Sequence, residues 1–240
     1  MLDDHEVERV LVVVAHPDDV DFGAAGSVAR WTDAGAQVTY CIVTDGDAGG
    51  FDPAVPRSDI AGIRRGEQTN AATQVGVEDL HFLGHPDGRL EASLDLRRDI
   101  ARVIREVRPR RVVTQSPLRT LEAVYRNHPD HIAAAEATCS AVYPDSRNPF
   151  AFPELLEEGL EAWTVEELWF MGSTPGYPDH FVDITDTFDR KIKALLCHAS
   201  QLSDPDGIDP WIRQWNRENA EAGGLEPGCL AERFVVMPTV

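Results

Sequence analysis

Lysine is nearly absent from this chain. Of 22 basic residues only Lys191 and Lys193 are lysine, and 41 acidic residues outnumber the basic ones to give a formal net charge of −19 and a pI of 4.7. A surface of this sign does not replace counterions along a phosphate backbone, and anionic lipid repels it. Nucleic acid and membranes are therefore excluded as the expected partners. The excess of acid reads first as solubility. Cysteine is sparse as well: Cys41, Cys139, Cys197 and Cys229 form no CxxC pair and no disulfide scaffold, and read as buried reduced thiols. No run approaches the roughly 18 apolar residues of a membrane helix. The opening MLDDHEVERV lacks the basic start and apolar stretch of a secretory signal, so a cytoplasmic location is expected. Three signatures are also missing: Gly-x-Gly-x-x-Gly after the first strand, Walker A, and Gly-x-Ser-x-Gly. In HPDDVDFGAAG the glycines Gly23 and Gly26 come too late, and the carboxylates would repel a pyrophosphate.

What is present reads as one globular α/β domain. Hydrophobic residues make up 42% and charged residues 26% of 240 residues, which fits a single domain over residues 1–240, with a core at about 8–200 and a C-terminal elaboration at 201–240. The continuous run Val10–Val14 predicts a strand buried on both faces, as in a parallel sheet. Further strands are expected at 37–44, 79–83, 111–115, 167–171 and 181–184, with an edge strand at 234–237. Helices are expected at 23–34, from an Asp59 N-cap to Val75, at 94–107 ahead of Pro109, from Pro129 onward, and at 187–201. Residues 143–161 read as irregular, and 204–228 carry no clear pattern. The β-α alternation predicts a Rossmann-like, mostly parallel sheet with helices on both faces.

Two motifs carry the chemistry. Ala15-His16-Pro17-Asp18-Asp19 follows strand one directly, and ligands of open α/β sheets bind beyond the carboxyl ends of the strands. One imidazole and two carboxylates there suit a divalent metal; the alternative is that Asp18 or Asp19 caps the next helix. His128-Pro129-Asp130-His131 lies after strand four, on the same sheet edge. His16, Asp19 and one of His128 and His131 would supply three protein ligands, leaving a position for water as in hydrolytic zinc sites. Zn²⁺ is expected, and Fe²⁺ or Co²⁺ suit the same N/O donors.

These motifs resemble the PIG-L/LmbE-like family of zinc-dependent N-acetylglucosaminide deacetylases. The resemblance extends to Thr44-Asp45-Gly46, Arg64-Arg65-Gly66-Glu67 and Leu83-Gly84-His85-Pro86-Asp87-Gly88, and covers roughly residues 8 to 200. It implies that His16, Asp19 and His131 bind one zinc ion. It implies that Asp18 is the general base and that His128 acts on the tetrahedral intermediate, its ring oriented by Asp130. It places Arg64 at the substrate pocket and lets Asp87 bind sugar hydroxyls. The implied partner is a small amino-sugar conjugate whose N-acetyl group is hydrolysed. Family members acting on mycothiol precursors carry a tyrosine two positions before the first histidine of the second motif; here Arg126 stands there and Tyr125 precedes it. Hydrolysis of another amide, as by a thiol-conjugate amidase, or of an ester, and a non-catalytic sugar-binding relative are the competing readings.

An imidazole beside an aspartate is expected to keep a raised pKa, which would leave His128 charged near neutrality. His85 and His180 read first as surface histidines, His81 as packed in its strand, and His198 as core packing or a helix C-terminal contact. Trp163, Trp169, Trp211 and Trp215 read mostly as core, although Trp211 and Trp215, spaced i,i+4, could wall a sugar ring. The residues leave the oligomeric state open, a homo-oligomer included.

Overall fold

A computed structural model describes residues 1–121, 124, 127–174 and 176–240. Tyr125 and Arg126, whose roles the family pattern raised, lie outside the described residues. The elements run β1 (Arg9–Val14), α1 (Asp19–Gly23), α2 (Ala25–Asp33), β2 (Gln37–Thr44), α3 (Arg57–Gln74), β3 (Asp79–His85), α4 (Leu94–Val107), β4 (Arg111–Thr114), α5 (Pro129–Ser140), α6 (Pro153–Glu157), β5 (Glu167–Met171), β6 (His180–Asp183), α7 (Phe188–Leu196), α8 (Pro205–Ala222) and β7 (Ala231–Pro238).

Seven strands form one sheet in the order β3-β2-β1-β4-β5-β7-β6. The first five are parallel, and β7 pairs antiparallel with both β5 and β6. The β-branched run of β1 fills both faces of the sheet. Val10, Val12 and Val14 pack into a core with Val28 and Trp31 of α2, Ala72 of α3 and Phe188 of α7. Leu11 and Val13 enter the opposite core with Leu96 and Ile100 of α4 and Ala134 of α5. Alternate side chains thus meet helices on either side, which is why no polar alternation marks this strand. From β1 the chain winds outward to β2 and β3, then returns to β4 on the other flank. The strand order therefore reverses between β1 and β4, and a crevice opens there beyond their carboxyl ends.

Several expectations change. The helix expected at 23–34 is two helices broken at Ala24, with φ −146° and ψ 2°. Gly26 lets α2 close on the chain after β6: a Cβ there would stand 2.7 Å from the Ile184 side chain. Helix α3 starts at Arg57 behind Pro56, so Asp59 lies in its first turn rather than at its cap. Helix α7 ends at Leu196, short of residue 201. Residues 205–222, left unplaced, form α8, capped by the Asp204 side chain on the Gly207 N–H. Its Ile208 and Ile212 are buried one turn apart, and Asn216 and Asn219 both donate to the Ala231 carbonyl. The expected edge strand is internal: β7 inserts between β5 and β6, which makes β6 the edge. Of residues 201–240, β7 is thus part of the sheet, and α8 is tied to it through Asn216 and Asn219.

Candidate metal centre and active site

The first loop of the crevice is set by a residue in an unusual conformation. Asp18 has φ 89° and ψ −27°, a left-handed backbone at a non-glycine. Its side chain makes no cap bond to α1; the carboxylate turns instead to Arg64, whose Nη2 donates to Oδ2 at 3.0 Å. The backbone N–H of Asp18 is held by Gln68 Oε1 at 2.8 Å. Asp19 points the other way. Its Oδ2 accepts from the His16 N–H at 2.7 Å and from Gln115 Nε2 at 2.7 Å.

The second motif enters at the start of α5. Proline suits the first helical position, and His128 is the N-cap, its Nδ1 accepting the Asp130 N–H at 3.2 Å. One turn on, His131 Nε2 lies 3.0 Å from Asp19 Oδ1 and 3.2 Å from His16 Nδ1. His16 Nδ1 is 3.4 Å from Asp19 Oδ2. Two donors bound to one tetrahedral zinc ion at about 2.1 Å stand roughly 3.4 Å apart. The contacts among His16, Asp19 and His131 have that size, Asp19 meeting His131 with Oδ1 and His16 with Oδ2, so the donor types and their spacing suit the metal. His128 also brings a nitrogen within 4.8 Å of His16 and His131, but it lies exposed at the mouth and Asp19 stands closer to both.

Behind the triangle, the other face of His16 meets two carboxylates. Its Nε2 is 3.1 Å from Asp87 Oδ1 and 3.4 Å from Asp130 Oδ2. Asp87 also accepts from the Ala48 N–H, and Asp130 from Gly88 and Leu90. Such carboxylates fix the ring so that one nitrogen keeps its proton and the other is free to ligate. Three expectations shift here. Asp130 orients His16 rather than His128, because its buried carboxylate is turned toward the β3–α4 loop. Asp87 is 6% exposed with both oxygens engaged, so it supports His16 rather than presenting acceptors to a sugar. Arg64, expected at the substrate, is 4% exposed and spends its guanidinium on Gly46 O, Pro17 O and Asp18.

Electrostatics follow from this packing. Burial works against charge on His16, but Asp19, Asp130 and Asp87 outweigh it and raise the ring to about 12 in the metal-free site. Burial, and then the charge of Asp19, raises Asp18 to about 7 against the pull of Arg64, His198 and His16. His128 moves down, through burial and then the neighbouring histidines. This reverses the expectation of a charged His128: burial and the charges of His16 and His131 outweigh the upward pull of Asp130 and Asp19. With Nδ1 accepting a backbone N–H, neutral His128 carries its proton on Nε2.

Three residues in these contacts gave no motif signal: Gln68, Gln115 and His198. His198 is 1% exposed and its Nε2 lies 2.8 Å from Asp21 Oδ2. His85 pairs with Asp99 at 3.1 Å, His180 packs edge-on to Trp169, and His81 lies near Asp79 and Glu106 at the surface. Trp169 is core; Trp211 and Trp215 are stacked and exposed, 56% and 37%.

An α/β domain with two histidines and a carboxylate converging at its switch point, and a second, half-buried carboxylate beside them, has the donor set and base that metal-dependent hydrolysis needs. The family described as PIG-L, GlcNAc-PI de-N-acetylase, matches residues 11–142, and the chain belongs to that family. It is 32% identical over 213 residues to a diacetylchitobiose deacetylase of Thermococcus kodakarensis, covering 87% of this chain and 76% of the relative. It is 34% identical over 200 residues to a probable N-acetyl-alpha-D-glucosaminyl L-malate deacetylase 2 of Bacillus cereus, covering 80% and 83%. The N,N'-diacetylchitobiose deacetylase of Pyrococcus horikoshii, solved with an inhibitor, superposes with a TM-score of 0.87 at 28% identity, over 97% of this chain and 85% of that one. Among the described residues no helix is long and apolar enough to cross a membrane.

Proposed function

We propose that this chain hydrolyses the N-acetyl amide of a small N-acetylglucosamine-type conjugate, using one divalent metal, Zn²⁺, held by His16, Asp19 and His131. The observation that carries the reading is the convergence of His16, His131 and the two oxygens of Asp19 within 3.0–3.4 Å of one another, with the Asp18 carboxylate on the adjacent residue. The acetyl amide and the amino sugar come from the printed activities of the relatives.

A bound divalent ion supplies Lewis acidity, lowering the pKa of water and polarising the acyl carbonyl. The chain's own groups do the rest. Asp18, an anion beside a dication and on the residue next to Asp19, is placed to accept a proton from the attacking water. Arg64 holds that carboxylate in place from α3. As the C–O bond forms, the acyl oxygen gains negative charge, and the Nε2–H of neutral His128 is a donor at the crevice mouth for it. The C–N bond then breaks, and the proton held by Asp18 passes to the departing amine. The second water proton stays on the new carboxyl group and, near neutrality, passes to the freed amine, so acetate and an ammonium sugar leave. Asp87 and Asp130 keep the Nε2 proton of His16 and so present Nδ1.

The test is metal content together with acetate release from N,N'-diacetylchitobiose and other N-acetylglucosamine conjugates, for wild type and Asp18→Ala. One metal per chain in both proteins, with acetate from wild type alone, is expected. Full acetate release by the variant overturns the base. Metal bound without acetate from any substrate overturns the deacetylase reading, and a wild type that binds no metal overturns the centre.

A further inference from the structure

Behind Asp18, on the side away from the donor triangle, lies a polar chain that the reaction above does not use. Gln68 is fully buried on the face of α3 that carries Arg64 one turn earlier. Its Oε1 accepts from the Asp18 N–H at 2.8 Å, and its Nε2 donates to Asp21 Oδ2 at 2.9 Å. His198, in the turn after α7, donates from Nε2 to the same Asp21 oxygen at 2.8 Å. Asp21 is 0% and His198 1% exposed. Asp21 Oδ1 and His198 Nδ1 have no hydrogen-bond partner among the described residues. Deep burial of four polar groups joined end to end disfavours any rearrangement that leaves one of them unpaired.

The chain has a geometric consequence. A left-handed non-glycine residue persists only where its surroundings over-determine it. Arg64 grips the Asp18 carboxylate and Gln68 grips its N–H, so α3 fixes both ends of the residue. The amide of Gln68 is itself kept from flipping, because its NH₂ must face Asp21 for its oxygen to face Asp18. What keeps Asp21 facing Gln68 is His198. We infer that His198, Asp21 and Gln68 form a buried positioning relay that sets the Asp18 backbone and so aims its carboxylate, with His198 acting through three hydrogen bonds. This rests on Asp18 being the base of the proposed reaction. Gln68, Asp21 and His198 touch neither substrate nor the donor triangle in this account, and they are positioning residues.

The experiment reads Asp18 directly, with and without turnover. Amide hydrogen exchange at Asp18, followed by NMR in the metal-loaded protein, is compared for wild type, His198→Phe and His198→Gln, with the β1 amides as the folding control. The side chain of His198→Gln keeps a donor for Asp21, whereas phenylalanine has none. Protection at Asp18 should fall about tenfold in His198→Phe, recover to within about threefold of wild type in His198→Gln, and stay unchanged in β1, a loss of the size expected when the net contribution of one hydrogen bond is removed from a local opening. With N,N'-diacetylchitobiose as substrate, kcat should fall by a similar factor in His198→Phe while KM and bound metal hold. Unchanged Asp18 protection in His198→Phe overturns the relay, as does equal loss at Asp18 and throughout β1, which marks general destabilisation. Failure of His198→Gln to recover protection overturns the donor role. An active Asp18→Ala would instead overturn the base assignment, and the exchange result would still decide the relay.

Discussion

Loading the metal-free protein with Zn²⁺ should expel protons, and His16 and Asp18 set their number. Without metal, the carboxylates around His16 outweigh its burial and hold it at about 12, so the ring carries both protons near neutrality. A metal at Nδ1 requires the neutral ring, and Nε2 keeps its proton between Asp87 and Asp130. At about pH 8 each ion therefore displaces about one proton. Asp18, raised to about 7 chiefly by burial, is already ionised there but mostly protonated at about pH 6. A dication beside it favours the anion, so release should climb toward about two protons at the lower pH. Asp18→Asn removes the Asp18 proton, so its count at the lower pH should fall below that of wild type while the two agree at about pH 8. Loss of one proton gives an affinity that rises about tenfold per pH unit, or about 1.4 kcal/mol. Titration calorimetry in two buffers of different ionisation enthalpy counts the protons. No release at about pH 8 would refute His16 as a ligand. A count that stays at about one in wild type at the lower pH would refute the placing of the extra proton on Asp18.

The same contacts predict other outcomes. Gln115→Leu removes the 2.7 Å donor to Asp19 Oδ2, and Zn²⁺ affinity measured by competition with a chelator should drop about 10–100-fold. Lys191 is fully buried against Glu232, which also accepts the Gly26 and Ser27 N–H groups at the head of α2. Lys191→Met strands that carboxylate, and urea unfolding should show a loss of about 3–5 kcal/mol. Asp18 carries a folded pKa above its unfolded value of 3.8, so ionising it costs stability progressively as pH rises from about 4 to about 7. Metal-free Asp18→Asn should therefore melt above wild type at about pH 8, with the gap closing toward about pH 4. Equal gaps at both ends would contradict a buried, raised Asp18.

Much of the site was legible because the strands that carry it are self-announcing. A run of five apolar β-branched or leucine residues marks β1, and whatever follows it falls at the carboxyl edge of the sheet. His16, Asp18 and Asp19 inherit their place from that one fact, and His128 and His131 inherit theirs from β4 and the proline at the head of α5. The C-terminal third was less legible. Pro210 inside α8 and the Asp/Gly/Pro opening of that helix break the local pattern, while Ile208 and Ile212 find their core only in three dimensions. Strand β7 could not be placed inside the sheet from its own residues, since antiparallel insertion is decided by its pairing with β5 and β6.

The roles of the remaining carboxylates were hidden for a different reason. Asp87, Asp130 and Asp21 each sit in or beside a motif whose neighbours the proposed reaction uses as ligands or base, and sequence spacing alone invites a direct role for each. Direction decides otherwise. Asp130 precedes His131 in the chain, yet its carboxylate faces His16, a residue 114 positions away, because the first turn of α5 sends adjacent side chains to different sides. Asp21 follows Asp19 by two, and on α1 that turns it from the metal side to the α3 side, where Gln68 and His198 meet it. Arg64 and Gln68 then share one buried face of α3 by their i,i+4 spacing, so that helix supports the loop after β1 without supplying a ligand. The donors can be read from residue type and strand ends. The groups that aim them depend on long-range packing, and a substitution such as His198→Phe separates the two layers by testing the second while leaving every donor in place.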